Sequence, residues 1–241
     1  MEAPNVTVIV PCFNEADRLD LSRFEELTVR PNVCLLFVDD GSTDSTDALI
    51  STWAADRPSA HLLRLSSNVG KGEAIRAGLL ESLDGGADIV AYLDADLASP
   101  PSELLRVLDV VLSDQSIDLA MGSRVALLGS NIERSRLRHY QGRIFATVAS
   151  LVLRLPVYDT QCGLKVIRAT PALHAALTTP FRSRWVFDVE LIARMMAAPT
   201  PLRADQIREV PLNEWHDVGG SRLSVSARLR SAYELLTVTR H

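Results

Sequence analysis

A chain of 241 residues, 47% of them hydrophobic, fits one domain with a sizeable core, or one domain with a small appendage. Its formal net charge of -5 argues against a surface given over to wrapping nucleic acid or coating an anionic membrane, though a local basic patch remains open. Cys12, Cys34 and Cys162 are odd in number and lack CxxC spacing, so neither a disulfide framework nor a cysteine-based zinc site is indicated, and a reducing compartment is expected.

The chain enters an apolar, strand-like run directly, without the basic leader and small-residue cleavage site of a signal peptide, so a cytoplasmic location is expected. Short β-branched runs then recur at Val6–Val10, Val33–Val38, His61–Leu65, Asp88–Leu93 and Ile117–Met121. Between them Thr46–Ala55, Lys71–Glu81 and Pro101–Leu112 are long enough for crossover helices, a rhythm that predicts parallel strands covered by helices. After Gly122 the sequence predicts a long helical region over Ile132–Leu155, a strand at Gly163–Ile167, a helix over Phe187–Ala197 and a strand at Gln206–Val210. Ser224–Val238 reads as a last helix with a small apolar stripe. No repeat or linker divides the chain, which is expected to form a single domain over 1–241. No apolar stretch reaches the roughly 18 to 20 residues that cross a bilayer. Ile144–Leu153, between Arg143 and Arg154, comes nearest.

Two acidic motifs end predicted strands. In Phe37-Val38-Asp39-Asp40-Gly41-Ser42-Thr43-Asp44 two carboxylates precede glycine and small hydroxyl residues, at the place where open α/β sheets bind ligands. The same residues also serve ordinary turn and helix-cap chemistry. In Tyr92-Leu93-Asp94-Ala95-Asp96-Leu97-Ala98 the arrangement repeats on another strand. Asp94 and Asp96 present oxygens suited to Mg²⁺ or Mn²⁺, with water and phosphate filling the remaining positions. Solvated turn aspartates are the plainer alternative. Between the two motifs Asn68-Val69-Gly70-Lys71-Gly72 enters a helix, and its glycines can bring amides and Lys71 close to a nucleotide. It is not a P-loop, and no GxGxxG follows the first strand, which lowers a dinucleotide-oxidoreductase reading.

Val10-Pro11-Cys12-Phe13-Asn14-Glu15, Val38-Asp39-Asp40-Gly41-Ser42, Asn68-Val69-Gly70-Lys71-Gly72 and Asp94-Ala95-Asp96, in that order, resemble family 2 glycosyltransferases of the GT-A fold. The resemblance implies an α/β fold with a mostly parallel sheet flanked by helices. It implies that Pro11, Glu15, Asp39 or Asp40, and Lys71 surround the base and ribose of a nucleotide-sugar donor, and that Asp96 with Asp94 serves the metal-diphosphate. Further along, Gly122-Ser123-Arg124, Arg138 and Arg143, Asp159-Thr160-Gln161-Cys162-Gly163-Leu164-Lys165 and Trp185-Val186-Phe187-Asp188-Val189-Glu190 resemble polyprenyl- and dolichyl-phosphate sugar transferases, closest in wording to dolichyl-phosphate β-glucosyltransferases.

That resemblance implies an inverting hexosyltransferase that moves glucose from UDP-glucose to a polyprenyl or dolichyl phosphate. Arg124, Arg138 and Arg143 would hold the acceptor phosphate, and Asp159 would orient the acceptor or assist as a weak base. A phosphate monoester is mostly deprotonated at neutral pH and hardly needs a strong base. For an alcohol acceptor, Asp159, Asp188 or Glu190 would become stronger base candidates. Ala98 and Gly142 stand where related mannose synthases carry glutamine and serine, which weighs against GDP-mannose. Many glucosyltransferases of this type carry an N-terminal membrane helix that has no counterpart here, so recruitment is expected from amphipathic surface or a membrane partner. Over 132–158, Ile144, Val148, Leu151 and Leu155 fall on one stripe and Arg143, Thr147, Ser150 and Arg154 on another, which suits either peripheral contact with the cytoplasmic membrane face or a core helix with a solvated edge. A GDP-mannose-dependent mannosyltransferase, a transferase for a soluble hydroxyl acceptor and a nucleotide-sugar binding protein without transfer are the competing readings.

Overall fold

The computed structural model describes residues 3–217 except 134–135 and 185, with the backbone alone over 136–141. The side chains of Arg138 and Trp185 and the expected helix at Ser224–Val238 therefore lie outside the described residues.

The strands are β1 (Val6–Cys12), β2 (Val33–Asp39), β3 (Ala60–Arg64), β4 (Ile89–Leu93), β5 (Leu119–Ser123), β6 (Asn131–Ile132), β7 (Leu164–Arg168), β8 (Ile207–Pro211) and β9 (Glu214–Trp215). The helices are α1 (Glu25–Thr28), α2 (Thr46–Ala54), α3 (Lys71–Asp84), α4 (Pro101–Ser113), α5 (Arg136–Leu153), α6 (Pro171–Ala176) and α7 (Phe187–Met196). Seven strands form one sheet in the order β3-β2-β1-β4-β7-β5-β8. The β1–β2, β2–β3, β1–β4 and β5–β8 pairs are parallel, and β7 runs antiparallel to both of its neighbours. This is the mostly parallel, helix-flanked α/β sheet that the sequence predicts.

Alternation along the strands builds a core on each face. Val8, Val10, Leu35, Phe37, Ala91 and Leu93 pack on one side, with Leu27 of α1, Ile50 of α2 and Leu104 of α4. Ile9, Leu36, Val38, Val90 and Tyr92 point the other way, against Ile75 and Leu79 of α3 and Phe187 and Ile192 of α7. Both faces are covered, so these strands read as continuous apolar runs. The chain steps outward from β1 to β3 and then returns to β4 beside β1, which makes the carboxyl ends of β1 and β4 a topological switch point where open α/β sheets bind ligands.

Two expectations need correction. The helical region expected from Ile132 begins at Arg136, because Asn131 and Ile132 pair with Glu214 and Trp215 as the small β6–β9 sheet. The apolar stripe of α5 is also divided: Ile144 and Leu151 are exposed, Val148 is half-buried, and Leu155 is buried beyond the helix end. The core side of α5 is formed by Ala146, Ala149 and Leu153.

Candidate active site

Three loops leave the carboxyl ends of β1, β2 and β3 and are tied to one another. The Asn14 N–H donates to Ser42 Oγ at 2.9 Å, its side-chain Oδ1 accepts from the Thr43 N–H at 2.8 Å, and the Glu15 N–H donates to Thr46 Oγ1 at 2.8 Å. The Asp40 carboxylate accepts from the Val69 and Gly70 N–H groups at 2.7 and 2.9 Å and from Asn68 Nδ2 at 3.0 Å. Asp40 thus clamps the third loop, and burial raises its pKa above the ordinary aspartate value. Its neighbour Asp39, buried at the end of β2, accepts the Ser42 N–H at 3.2 Å on its side chain. Pro11 is half-buried near the end of β1, and Glu15 is ion-paired with Arg18, whose Nη2 lies 2.6 Å from Oε1.

Lys71 opens α3 and reaches across to the end of β4, where its Nζ lies 2.6 Å from Asp94 Oδ1. Burial works against the ammonium charge, but Asp94, then Asp188 and Asp96, outweigh it and hold the lysine pKa above its ordinary value. The antiparallel course of β7 brings Gly163 under this carboxylate: the Asp94 N–H donates to Gly163 O at 3.1 Å, and a Cβ on Gly163 would fall inside the Asp94 side chain. Asp96 Oδ1 accepts from the Ala98 N–H at 3.1 Å across Leu97, whose φ is 50°. Burial, with Asp94 nearby, raises the Asp96 pKa. The His216 N–H donates to Ala98 O at 2.9 Å, so the end of β9 braces this turn.

The donor set fits a hard divalent cation only in part. Asp94 and Asp96 supply two oxygens, and no cluster of three or more acidic, histidine or cysteine ligands occurs among the described residues. The remaining positions suit water and diphosphate oxygens, as is common for Mg²⁺ at phosphate sites.

Close to Lys71 lies a buried network around Asp188, whose partners Lys165 and Tyr92 sequence reasoning leaves unassigned. Lys165, fully buried on β7, bonds to Asp188 at the start of α7 and to Cys162 O at 2.9 Å, while the Tyr92 hydroxyl donates to the same Asp188 oxygen. The signal was a lysine within the apolar run of β7, which only a buried counter-charge tolerates. Gly72 belongs to this packing too, because a Cβ there would come within 2.9 Å of the Phe187 ring. Glu190, the other acidic candidate on α7, is engaged by the Arg182 and Ser183 N–H groups and by Arg194.

The arginine candidates divide. Arg124, just past β5, is locked to Asp159 by Nε–Oδ2 and Nη2–Oδ1 contacts of 2.6 and 2.8 Å, and its own N–H also donates to Asp159. Burial disfavours this guanidinium's charge and Asp159 outweighs it, so its pKa stands above the usual arginine value. Glu209 on β8, unremarked in the sequence, accepts the Tyr158 and Asp159 N–H groups at 2.7 Å each and so fixes the loop before β7. Arg143 stacks on Tyr158 at 3.9 Å, and its Nη1 is buried without a hydrogen-bond acceptor among the described residues. Trp215 lies beneath Arg124 at 5.5 Å. Burial pushes the Cys162 thiol up to about 11, leaving it protonated and inert at neutral pH.

The nucleotide-motif loops, the DAD turn and the Arg124–Asp159 loop thus meet at one end of the sheet, as a two-substrate transfer site requires. Solved structures of glucosyl-3-phosphoglycerate synthase from Mycobacterium tuberculosis share this fold; the complex with Mn²⁺, UDP-glucose and glycerol 3-phosphate has a TM-score of 0.72 at 20% identity, covering 98% of this chain and 80% of that one. The dolichyl-phosphate beta-glucosyltransferase of Dictyostelium discoideum is 30% identical over 97% of this chain and 73% of its own length. The polyprenol monophosphomannose synthase of Mycolicibacterium smegmatis is 31% identical over 78% of this chain and 70% of its own. The model of glycosyl transferase family 2 matches residues 7–172, and the chain belongs to that family.

Proposed function

We propose that this protein transfers a sugar from a nucleotide donor to a polyprenyl phosphate, with glucose from UDP-glucose as the donor group. The observation that carries the reading is the convergence, at one end of the sheet, of the Lys71–Asp94–Asp96 group with the Arg124–Asp159 pair and Arg143. The glucosyl assignment is supported by relatives described as dolichyl-phosphate beta-glucosyltransferases, and a mannosyl donor is the second reading because a polyprenol monophosphomannose synthase also matches.

Asp39, with Pro11 and Glu15, lines the base and ribose side, and Asp40 acts there indirectly by holding the 68–70 loop. A divalent cation at Asp94 and Asp96 would supply charge stabilisation to the departing diphosphate. Lys71 is the protein cation at the same place, free to follow the diphosphate once Asp94 takes another partner. Arg143 has a buried donor with no hydrogen-bond partner among the described residues, which an acceptor phosphate oxygen would satisfy. Arg124 and Asp159 are already joined, so Asp159 is a positioning residue that aims Arg124 and its loop; Arg138 remains a candidate by sequence.

In the transfer, an acceptor phosphate oxygen forms its bond to the anomeric carbon as the bond to UDP breaks. The bonding pair leaves with the diphosphate, and configuration inverts. Competition between UDP-glucose and GDP-mannose, each with Mn²⁺ and a short polyprenyl phosphate, tests the donor. Preferred glucosyl transfer supports the reading, and preferred mannosyl transfer replaces it with the second.

A further inference from the structure

Beyond Arg143, the outer side of α5 carries features that sugar transfer does not use. Ile144 and Leu151 are 69% and 74% exposed on a helix whose other side enters the core. Beside them a cavity of about 410 Å³ opens between α5 and the turn at Leu155–Val157, lined by both Arg143 and Arg154. Two hydroxyls in its wall are turned inward, Thr147 Oγ1 to Arg143 O at 2.8 Å and Ser150 Oγ to Leu155 O, so the guanidinium groups are the cavity's available donors. The arginines are eleven residues apart, roughly 16 Å along the helix axis, and Arg143 is held by Tyr158. Arg154 is exposed and ends the helix with φ 54°, a left-handed conformation that favours glycine, yet an arginine stands there.

Charge identifies the occupant. The described residues that line the cavity include Arg143 and Arg154 and no aspartate or glutamate, within a protein of net charge -5. A second copy would bring these two arginines against their own like charges. Exposed apolar side chains next to arginines match a surface of anionic headgroups over acyl chains.

We propose that this groove seats the phosphate of an anionic bilayer phospholipid at Arg154, with Ile144 and Leu151 entering the headgroup boundary, and so docks the protein beside its acceptor. The choice of a membrane rests on the polyprenyl-phosphate reading, but the test separates the two. Sedimentation uses vesicles of phosphatidylcholine alone, or with roughly one-third phosphatidylglycerol, and no polyprenyl phosphate. Wild type is expected to bind the anionic vesicles selectively. The Leu151→Ser/Arg154→Gln double variant should bind them roughly tenfold more weakly or worse, and Ile144→Ser should also weaken binding, each with an unchanged Tm because all three side chains are exposed. Turnover on a short, water-soluble prenyl phosphate should be the same in all of these proteins.

Equal binding of wild type to both vesicle types, binding to neither, or undiminished binding by the double variant would overturn the docking role. Loss of soluble-acceptor turnover in the double variant would overturn it too, by placing Leu151 and Arg154 in the transfer site. Absence of that turnover in wild type, with selective vesicle binding intact, counts against the sugar-transfer reading alone.

Discussion

Lys71 Nζ and Asp94 Oδ1 lie 2.6 Å apart, so the first aspartate of the DAD pair already has a protein cation as its partner. A metal ion entering without nucleotide competes with that lysine. Lys71→Met is therefore expected to bind Mn²⁺ alone roughly two- to fivefold more tightly, the scale of a part-exposed ion pair, while turnover falls because the diphosphate loses a cation. Titration followed by Mn²⁺ electron paramagnetic resonance checks the first half. Unchanged or weaker binding would remove the competition.

Gly163 leaves the space that the Asp94 carboxylate fills. Gly163→Ala should push that carboxylate aside and lower kcat by about two orders of magnitude, the usual scale for a misplacement near an ångström at a reacting site. The affected contact is local, so cooperative thermal unfolding should be retained. A folded Gly163→Ala protein with normal kcat would show that Asp94 need not occupy its present position.

The Arg124–Asp159 pair is bidentate, with side-chain exposures of 16% and 8%. Arg124→Ala removes a bidentate partner from a buried carboxylate and should cost about 3 kcal/mol in urea unfolding. Adding Asp159→Ala should cost less than Asp159→Ala costs alone, since the two side chains share one bidentate contact. Additive losses would mean the two side chains are not coupled.

His216 lies 2.7 Å from Glu214 and 3.3 Å from Glu133, and these carboxylates raise its pKa above the ordinary histidine value. The folded state therefore holds the proton more tightly than the unfolded chain. The resulting stability is fully present below the unfolded value of about 6.5 and is lost as pH rises through the raised folded value. The effect is small because the ring is partly exposed. Wild-type Tm should fall more than that of His216→Gln as pH rises from about 6 to about 8, and parallel curves would contradict this.

Much of this architecture is legible in the sequence because it is written in local pattern. Runs such as Val33–Asp39, buried on both faces, announce a covered strand, and the DDGS and DAD motifs mark where strands end. The direction of β7 is not written that way: Leu164–Arg168 is a short, mostly buried run like the parallel strands of the sheet, and only the path of the chain inserts it antiparallel between β4 and β5. That insertion brings Gly163 to Asp94, a contact no spacing reveals. Likewise Asp39 and Asp40 are equivalent as letters. They separate only when the amides of Val69 and Gly70 close on Asp40. The six-residue α6 and the two-residue β6 and β9 are too short to carry a period, and their pairing is set by contacts distant in sequence.

Sugar transfer to a lipid phosphate is open to direct test. The most direct measurement incubates the protein with UDP-glucose, Mn²⁺ and either a short polyprenyl phosphate or the matching polyprenol, and determines the product and its anomeric configuration by NMR. The expected result is a β-linked glucosyl phosphate from the polyprenyl phosphate, no product from the polyprenol, and loss of at least about two orders of magnitude in turnover with folded Asp96→Ala. Efficient transfer to the alcohol, with none to the phosphate, would contradict it.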